Sequence, residues 1–117
     1  MVIERDERPW GFYEVLAEAP GYKVKRIEVK CGHRLSLQMH DSRSEHWVVV
    51  RGLALATIGD QQVSIGPNQH VLIPPRTKHR VASIGDEALV FIEVQCGSYL
   101  GEDDITRFED DYNRNQA

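Results

Sequence analysis

The chain has 117 residues, a mass of 13.4 kDa and a formal net charge of −4. Hydrophobic residues make up 41% and charged residues 27%, which is typical of a globular domain and excludes general disorder. The pI near 5.7 argues against a nucleic-acid-binding surface, and no apolar run approaches the ~20 residues of a membrane span. We therefore expect a single domain over residues 1–117.

The first eight residues are charged and lack the apolar stretch of a signal peptide. Cys31 and Cys96 are too few for a disulfide framework, so we expect reduced thiols. Together these features predict a cytoplasmic protein that binds neither nucleic acid nor a membrane.

Short β-rich runs separated by turn residues follow one another from residue 22 to residue 96, the expected core of the domain. Two of the turns, Gly59-Asp60 and Gly85-Asp86, are predicted to close tight hairpins because glycine and aspartate tolerate the required backbone angles. This spacing of strands predicts an antiparallel sandwich or barrel. The predicted strands are 22–30, 35–40, 46–50, 53–58, 62–65, 70–73, 79–83 and 88–95.

Two terminal segments are the helix candidates. Residues 10–18 form a short one. In residues 103–113 acidic residues open the segment and Arg114 follows it, which suits the dipole of a helix. The sequence thus predicts an all-β domain with short terminal helical segments.

The run 35–40 alternates apolar and polar residues, with Gln38 and His40 on one face beside Ser36. The opposite face carries Leu35, Leu37 and Met39. If this face points outward, its apolar row needs to be covered. The short terminal segments or a second subunit could provide that cover, and we favour the second, which predicts a homodimer.

Two further ligand-type side chains join Gln38 and His40. The short polar connection 41–44 predicts a hairpin that folds Glu45 back opposite His40. His79 follows the rigid Pro74-Pro75 turn. A single histidine in a strand is more often a surface or hydrogen-bonded residue. Here, however, the strand alternation, the position of the turn and the distant His79 all support the same metal site. Oxygen and imidazole donors without a thiolate suit zinc, with iron, manganese, nickel and cobalt left open.

Two spaced motifs resemble those of the cupins. They are Gly32-x5-Gln38-x-His40-x4-Glu45-x6-Gly52 and Gly66-x7-Pro74-x-Arg76-x2-His79. More narrowly, the stretches 8–13, 35–40, 43–47, 48–52 and 92–107 resemble type II phosphomannose isomerases, and the likeness runs from Arg8 to Arg114.

This resemblance implies a double-stranded β-helix, or jelly-roll, barrel. It implies a divalent metal held by Gln38, His40, Glu45 and His79. It further implies a metal-dependent aldose–ketose isomerase that interconverts mannose 6-phosphate and fructose 6-phosphate through an enediol. In many relatives a guanylyltransferase domain accompanies this module, and 117 residues leave no room for it.

Two other classes of function stay open. One is a non-catalytic sugar- or metal-binding module. The other is a different metal-dependent cupin enzyme such as a dioxygenase, although Gln38 in place of a histidine favours isomerase chemistry. The sequence also departs from the family pattern where Arg76 replaces the usual glycine of the second motif, a residue that is strained if the position needs a positive φ.

An isomerase of this kind needs a base and a cationic group for the phosphate of its phosphorylated sugar substrate. The base candidates are a metal-bound hydroxide, His46, Glu93, Glu102 and Asp103. The phosphate candidates are Arg43, Arg76, Lys78, Arg80 and Arg107. From these we predict Arg107, His46 and Glu93 as catalytic, and Arg43, Arg76 and Lys78 as substrate-binding.

Overall fold

A computed structural model describes residues 1–113 of the chain. Over those residues the regular structure consists of strands, and the predicted all-β class is confirmed. The strands are β1 (Glu4–Arg8), β2 (Gly11–Ala19), β3 (Tyr22–Val29), β4 (Leu37–Met39), β5 (Arg43–Arg51), β6 (Ala54–Ile58), β7 (Gln61–Ile65), β8 (His70–Ile73), β9 (His79–Ser83), β10 (Leu89–Gly97) and β11 (Thr106–Glu109).

The strands form two antiparallel sheets. One sheet has the order β1-β2-β3-β10-β5-β8 and the other the order β11-β4-β9-β6-β7. Inward-facing side chains of both sheets make one core, in which the Trp47 and Phe91 rings lie 5.5 Å apart. Alternate residues of each strand face this core, so polar residues placed at inward positions become buried functional groups.

The predicted terminal helices are wrong. Residues 10–18 lie almost wholly in β2, where burial alternates with a period of two, as a strand requires. The segment 103–113 contains β11, which pairs with β4, and its polar side chains bond to neighbouring segments instead of capping a helix. Arg114, the expected end of that helix, lies outside the described residues.

Of the predicted connections, Gly59-Asp60 does close a hairpin: Ile58 pairs with Gln61, and Gly59 has φ 62°. The turn at Gly85-Asp86 is not a hairpin, because β9 and β10 belong to different sheets. The hairpin predicted over 41–44 is also absent, because residues 40–42 cross from β4 in one sheet to β5, which begins at Arg43, in the other. The two crossings stack the sheets, so His40 and Glu45 meet across the core rather than across a hairpin.

The apolar row expected on the outside of 35–40 is only partly formed. β4 begins at Leu37, so strand alternation does not extend back to Leu35, whose side chain packs against the core. Leu37 and Met39 are half-buried. The row thus offers less outward apolar surface than a regular strand over 35–40 would.

One glycine is required by close packing near the site. A Cβ at Gly97 would lie 2.0 Å from the Ser42 carbonyl oxygen, so a larger residue would push β10 away from the start of β5. Both cysteines are free thiols, and no helix within residues 1–113 is long and apolar enough to cross a membrane.

Candidate metal centre and its cavity

Three buried ligand-type residues meet between the two sheets. His40 follows β4, Glu45 lies in β5, and His79 opens β9; one ligand atom from each lies within 4.8 Å of the others. His79 reaches this point because β9 pairs with β4, where it stands opposite Gln38. We call His40, Glu45 and His79 the ligand cluster.

Both imidazoles are oriented by backbone carbonyl groups. His40 Nδ1 lies 2.7 Å from the Asp104 carbonyl oxygen and His79 Nδ1 lies 2.9 Å from that of Thr77, so each Nδ1 carries the donated proton. The Nε2 atoms therefore carry lone pairs, and they lie 3.1 Å and 3.7 Å from the two Glu45 carboxylate oxygens. His79 Nε2 is buried without a hydrogen-bond partner. Two Nε2 lone pairs beside a carboxylate suit a divalent cation, so the residues fit the implied metal.

Glu45 is held as a carboxylate. Trp47 Nε1 donates to one of its oxygens over 3.0 Å, and Arg43 Nε donates to the other over 3.0 Å. Burial acts to raise its pKa, but the neighbouring His40, His79 and Arg43 side chains together outweigh burial and hold the pKa of Glu45 well below its usual value. Burial also lowers the pKa of His79, which favours the neutral imidazole that a metal needs.

Gln38 is the fourth predicted ligand. It is half-buried and lines the cavity next to the cluster, with its Oε1 accepting a hydrogen bond from Ser36 Oγ over 3.0 Å. This bond turns the amide oxygen, the ligating atom of a glutamine, toward the inside of the barrel.

A cavity of about 310 Å³ opens beside the ligand cluster. That volume is of the size that holds a small organic ligand. Charged residues of both signs line it among aromatic and aliphatic side chains. The cations are Arg8, Lys25, Arg43 and Arg107, and the acids are Glu93, Glu102 and Asp103.

Glu93 contrasts with its neighbour Glu45. Burial, together with the charge of Glu45, raises the pKa of Glu93 to about 8. Gln95 Nε2 donates to Glu93 Oε1 over 2.6 Å, which fixes the carboxyl group in place. Two neighbouring carboxyl groups whose pKa values are driven apart by their surroundings are an arrangement suited to acid–base chemistry.

One wall of the cavity is the connection between β10 and β11, residues 98–105, which we call the strap. Glu102 Oε2 accepts a hydrogen bond from Lys25 Nζ over 2.9 Å. The Asp104 carboxylate accepts from the backbone amides of Asp41 and Ser42 over 3.0 Å and 2.9 Å. The strap thus ties the cavity wall to the ligand cluster, because the Asp104 carbonyl also holds His40.

The structure places some of the other predicted site residues in the cavity. Arg43 lies beside Glu45, Glu93 projects inward from β10, and Arg107 lies on β11 opposite Gln38. These three residues and the ligand cluster share one site.

Three other predicted residues lie elsewhere. His46 is exposed on the outer face of β5, with its Nε2 2.9 Å from His70 Nδ1, because it alternates with the inward Glu45. Arg76 and Lys78 are exposed outside the cavity lining, with Lys78 Nζ 4.3 Å from the centre of the Phe108 ring. They precede His79 in sequence, but they lie in the proline turn before β9 and not at an inward-facing position of that strand.

Sequence reasoning missed Lys25, Arg8 and Asp104. For Lys25 a signal existed: in β3 it alternates with Val24 and Arg26 and so shares the inward face with Ile27. Arg8 and Asp104 reach the site only through the folding of distant segments, so no local sequence pattern indicates that they belong to it.

Residues 2–110 match the sequence model of the family described as "Mannose-6-phosphate isomerase C-terminal". The chain belongs to this family. The predicted resemblance to phosphomannose isomerases is therefore confirmed at the level of the family.

Curated relatives are about half identical to the chain. Xanthan biosynthesis protein XanB of Xanthomonas campestris is 52% identical and alginate biosynthesis protein AlgA of Pseudomonas aeruginosa 51%. Mannose-1-phosphate guanylyltransferase ManC of Salmonella typhimurium is 49% identical. Each match covers 92% of this chain, but the chain spans only 22–23% of the length of these relatives.

Solved structures with the same fold are more distant. Oxalate decarboxylase of Bacillus subtilis superposes with a TM-score of 0.81 at 16% identity, over 90% of this chain and 30% of that one. Capsular polysaccharide assembling protein CapF of Staphylococcus aureus gives 0.79 at 18% identity, over 91% and 34%. The cupin domain of Cnp3 from Schizosaccharomyces pombe gives 0.70 at 11% identity, over 81% and 69%. At these identities the likeness supports the cupin fold alone.

The predicted reaction has to be corrected. The sequence predicts that this chain interconverts mannose 6-phosphate and fructose 6-phosphate. The relatives at about 50% identity are much longer proteins, named for a guanylyltransferase and for polysaccharide biosynthesis, and isomerase activity is not shown for the part that this chain matches. Family membership gives a relationship to phosphomannose isomerases, not this reaction.

Proposed function

We propose that this chain binds a divalent cation at His40, Glu45 and His79, with Gln38 as a further ligand. We propose also that it binds a phosphorylated sugar in the adjoining cavity and transfers a proton on that sugar. The observation that carries the proposal is the convergence of two Nε2 lone pairs and one ionised carboxylate beside a cavity that holds four cationic side chains.

Zinc is the cation that the donor set supports best. Two imidazole nitrogens, one carboxylate and one amide oxygen form a borderline set without a thiolate, and the sequence pattern favours the same choice. When bound, such a cation supplies a Lewis acid that polarises the carbonyl and hydroxyl oxygens of a sugar.

The chain's own residues supply the remaining chemistry. Arg43 and Arg107, both lining the cavity, offer planar guanidinium groups of the kind that pair with phosphate oxygens. Glu93, whose pKa is raised to about 8 by burial and by Glu45, can hold a proton at neutral pH and release it within the cavity. Trp10, Tyr13 and Ile27 cover the cavity wall and limit the access of water.

The names of the relatives support a sugar as the ligand. XanB, AlgA and ManC are named for the biosynthesis of xanthan and alginate and for the transfer of a guanylyl group to mannose 1-phosphate. Proteins named in this way act on carbohydrates or their phosphates, so a phosphorylated sugar is the class of ligand that we propose for this chain.

A metal titration tests the first part of the proposal. The chain is stripped with a chelator and titrated calorimetrically with Zn²⁺. We expect one equivalent to bind, with at least a ~100-fold loss of affinity in His79→Ala. His70→Ala is the matched control, because His70 lies on the outer face with His46. Equal affinity in the parent and in His79→Ala would contradict the proposed site.

Proton transfer is tested separately in D₂O. A hexose 6-phosphate is incubated with the metal-loaded chain, and deuterium at carbon-bound positions of the sugar is followed by NMR. We expect incorporation that stops when the metal is removed and that falls strongly in Glu93→Gln. Binding of metal and sugar phosphate without incorporation would contradict the proton transfer.

A homodimer and a cytoplasmic location are also proposals. The half-buried Leu37 and Met39 support the first, since they leave apolar surface for a second copy to cover. Sedimentation at micromolar concentration that shows only monomers would contradict it. The carbohydrate-biosynthetic names of the relatives support the second.

A further inference from the structure

Two lysines of β3 point into the barrel. The side chains of Lys23 and Lys25 are only 9% and 5% exposed, and Lys25 lines the cavity, where its Nζ lies 3.9 Å from the centre of the Tyr13 ring. A buried ammonium group is costly unless an anion pairs with it. Lys25, with Lys23 two residues away on the same face of β3, therefore marks a place in the cavity where negative charge is needed.

In the free chain the strap provides that charge at Lys25, and it shares Lys23 with Glu18, whose Oε2 lies 3.5 Å from Lys23 Nζ. Glu102 Oε2 lies 2.9 Å from Lys25 Nζ and 3.5 Å from Lys23 Nζ, and Lys23 Nζ also donates to the Leu100 carbonyl oxygen over 3.1 Å. Throughout residues 1–113, Glu102 is the carboxylate that forms an ion pair with Lys25. The counter-charge of a nearly buried lysine thus comes from a side chain that is 43% exposed.

Two other cations of the cavity are paired differently. Arg43 bonds to Glu45 within β5, and both side chains are almost fully buried. Arg8 bonds to Asp6 within β1 over 2.9 Å. The carboxylate at Lys25, in contrast, belongs to a connecting segment, so an incoming anion can replace it without disturbing a strand.

We propose that Lys25, backed by Lys23, is the binding site for the phosphate monoester of the ligand, and that Glu102 occupies this site until the phosphate displaces it. The inference rests on the proposed function, because it names the part of the cavity that receives the phosphate. A phosphate dianion pairs more strongly with the two ammonium groups than one carboxylate does. An uncharged sugar cannot replace Glu102, since it would leave the nearly buried Lys25 without its ion-pair partner, although Lys23 keeps its contact with Glu18. Displacement of Glu102 therefore selects phosphorylated sugars over free sugars.

The anchoring of the strap fits this exchange. Asp104, two residues beyond Glu102, is held by the backbone amides of Asp41 and Ser42. Its carbonyl keeps the contact with His40. Movement of Glu102 away from Lys25 can therefore leave the ligand cluster in place.

Calorimetric binding of inorganic phosphate and of a hexose 6-phosphate tests the inference. Glu102→Gln keeps an oxygen that can accept the Lys25 hydrogen bond but removes the competing charge, so we expect it to bind both probes about tenfold more tightly. Lys25→Met is expected to bind them at least about tenfold more weakly. The unphosphorylated hexose should show no gain from Glu102→Gln.

The controls separate this site from general charge effects and from misfolding. Glu109→Gln removes the same charge from the same part of the chain, but its partner is Arg80, so binding should stay within about twofold of the parent. Lys25→Arg keeps the charge in case Lys25→Met does not fold, and it should bind within about threefold of the parent. Phosphate binding that is no tighter in Glu102→Gln than in Glu109→Gln, or equally tight in folded Lys25→Met and the parent, would overturn the inference.

The same measurements distinguish this inference from the proposed function. If Zn²⁺ binds at the ligand cluster but the phosphate affinity is unchanged in the Glu102 and Lys25 variants, the inference fails and the metal site stands. If the phosphate affinity changes in these variants as expected but no metal binds, the proposed function fails and the anion site stands.

Discussion

The ligand cluster is built from strands or their immediate ends, whereas the strap, which forms one wall of the cavity, has no regular structure. His40, Glu45 and His79 are nearly inaccessible to solvent, and the Glu45 carboxylate lies between 2.8 Å and 3.7 Å from Arg43 and both imidazoles. The strap contacts the barrel through Glu102 and Asp104, which are more exposed and bond to segments far away in sequence. This difference fits the proposed division of roles, in which strands hold the proposed metal ligands and the strap gives way to the phosphate.

The largest expected effect is at the ligand cluster. Glu45→Ala removes the carboxylate that Arg43 and both imidazoles face, and it leaves the Arg43 guanidinium buried without its partner. We expect a loss of about 3–5 kcal/mol in the free energy of unfolding of the metal-free chain. Urea denaturation in the presence of a chelator measures it. Glu102→Ala is the comparison at the strap: it leaves the nearly buried Lys25 without its ion-pair partner, but the place of the carboxylate is partly exposed to water, so the loss should be smaller, about 2 kcal/mol. Similar losses at both positions would contradict the proposed division of roles.

The raised pKa of Glu93 leads to a prediction of how the stability of the fold changes with pH. Its ordinary pKa of 4.5, expected in the unfolded chain, rises in the fold to about 8 through burial and the charge of Glu45. Between these two pKa values the folded chain binds more protons than the unfolded chain, so stability falls as pH rises from about 5 to 8. Glu93→Gln mimics the protonated carboxyl group and should remove this fall.

Thermal melts of the chelator-treated chain at several pH values measure this effect. The melting temperature of Glu93→Gln should equal that of the parent near pH 5 and exceed it by ~5–10 °C at pH 8. Glu109→Gln serves as the control, because Glu109 is exposed and pairs with Arg80 outside the cavity. Parallel melting curves for Glu93→Gln and the parent at all pH values would show that Glu93 is not protonated in the fold.

A smaller effect is expected where the strap meets the ligand cluster. Asp104→Ala removes the carboxylate that holds the strap to the amides of Asp41 and Ser42, and so loosens the carbonyl that orients His40. Partners of this kind typically contribute 10–100-fold to metal affinity, and we expect about tenfold weaker Zn²⁺ binding because the carbonyl itself remains. Asp111→Ala, which breaks the Arg34 pair farther along the terminal segment, is the matched control. A lower melting temperature with unchanged Zn²⁺ affinity would show that Asp104 only supports the fold.

The same contrast explains how much of the site could be predicted from the sequence. Strand alternation placed Gln38 and His40 on one inward face, and the proline turn before His79 indicated the start of a strand, because these are local patterns with a fixed period. The pairing of Lys25 with Glu102 joins residues 77 positions apart and depends on how a segment without regular structure crosses the barrel. The helix predicted over residues 103–113 is wrong for the same reason, since their acidic side chains bond to distant segments and do not begin a helix.

The smallest expected effect concerns Arg76, where the second motif usually has glycine. The prediction that this position strains a non-glycine residue is supported by its φ of 55°, in the left-handed region. The Arg76 amide donates to the His40 carbonyl oxygen over 2.7 Å, so the strained turn is bonded to a residue of the ligand cluster.

Arg76→Gly should relieve about 1 kcal/mol of strain, partly offset by the greater freedom of glycine in the unfolded chain, for a net gain of about 0.5 kcal/mol in the free energy of unfolding. The backbone donor survives this change, so Zn²⁺ affinity should be unchanged while the urea midpoint rises slightly. Arg51→Gly, at an exposed residue outside the cavity whose φ is not positive, is the control and should not stabilise the chain. A fall in Zn²⁺ affinity in Arg76→Gly would instead mean that the Arg76 side chain, and not only its backbone, supports the ligand cluster.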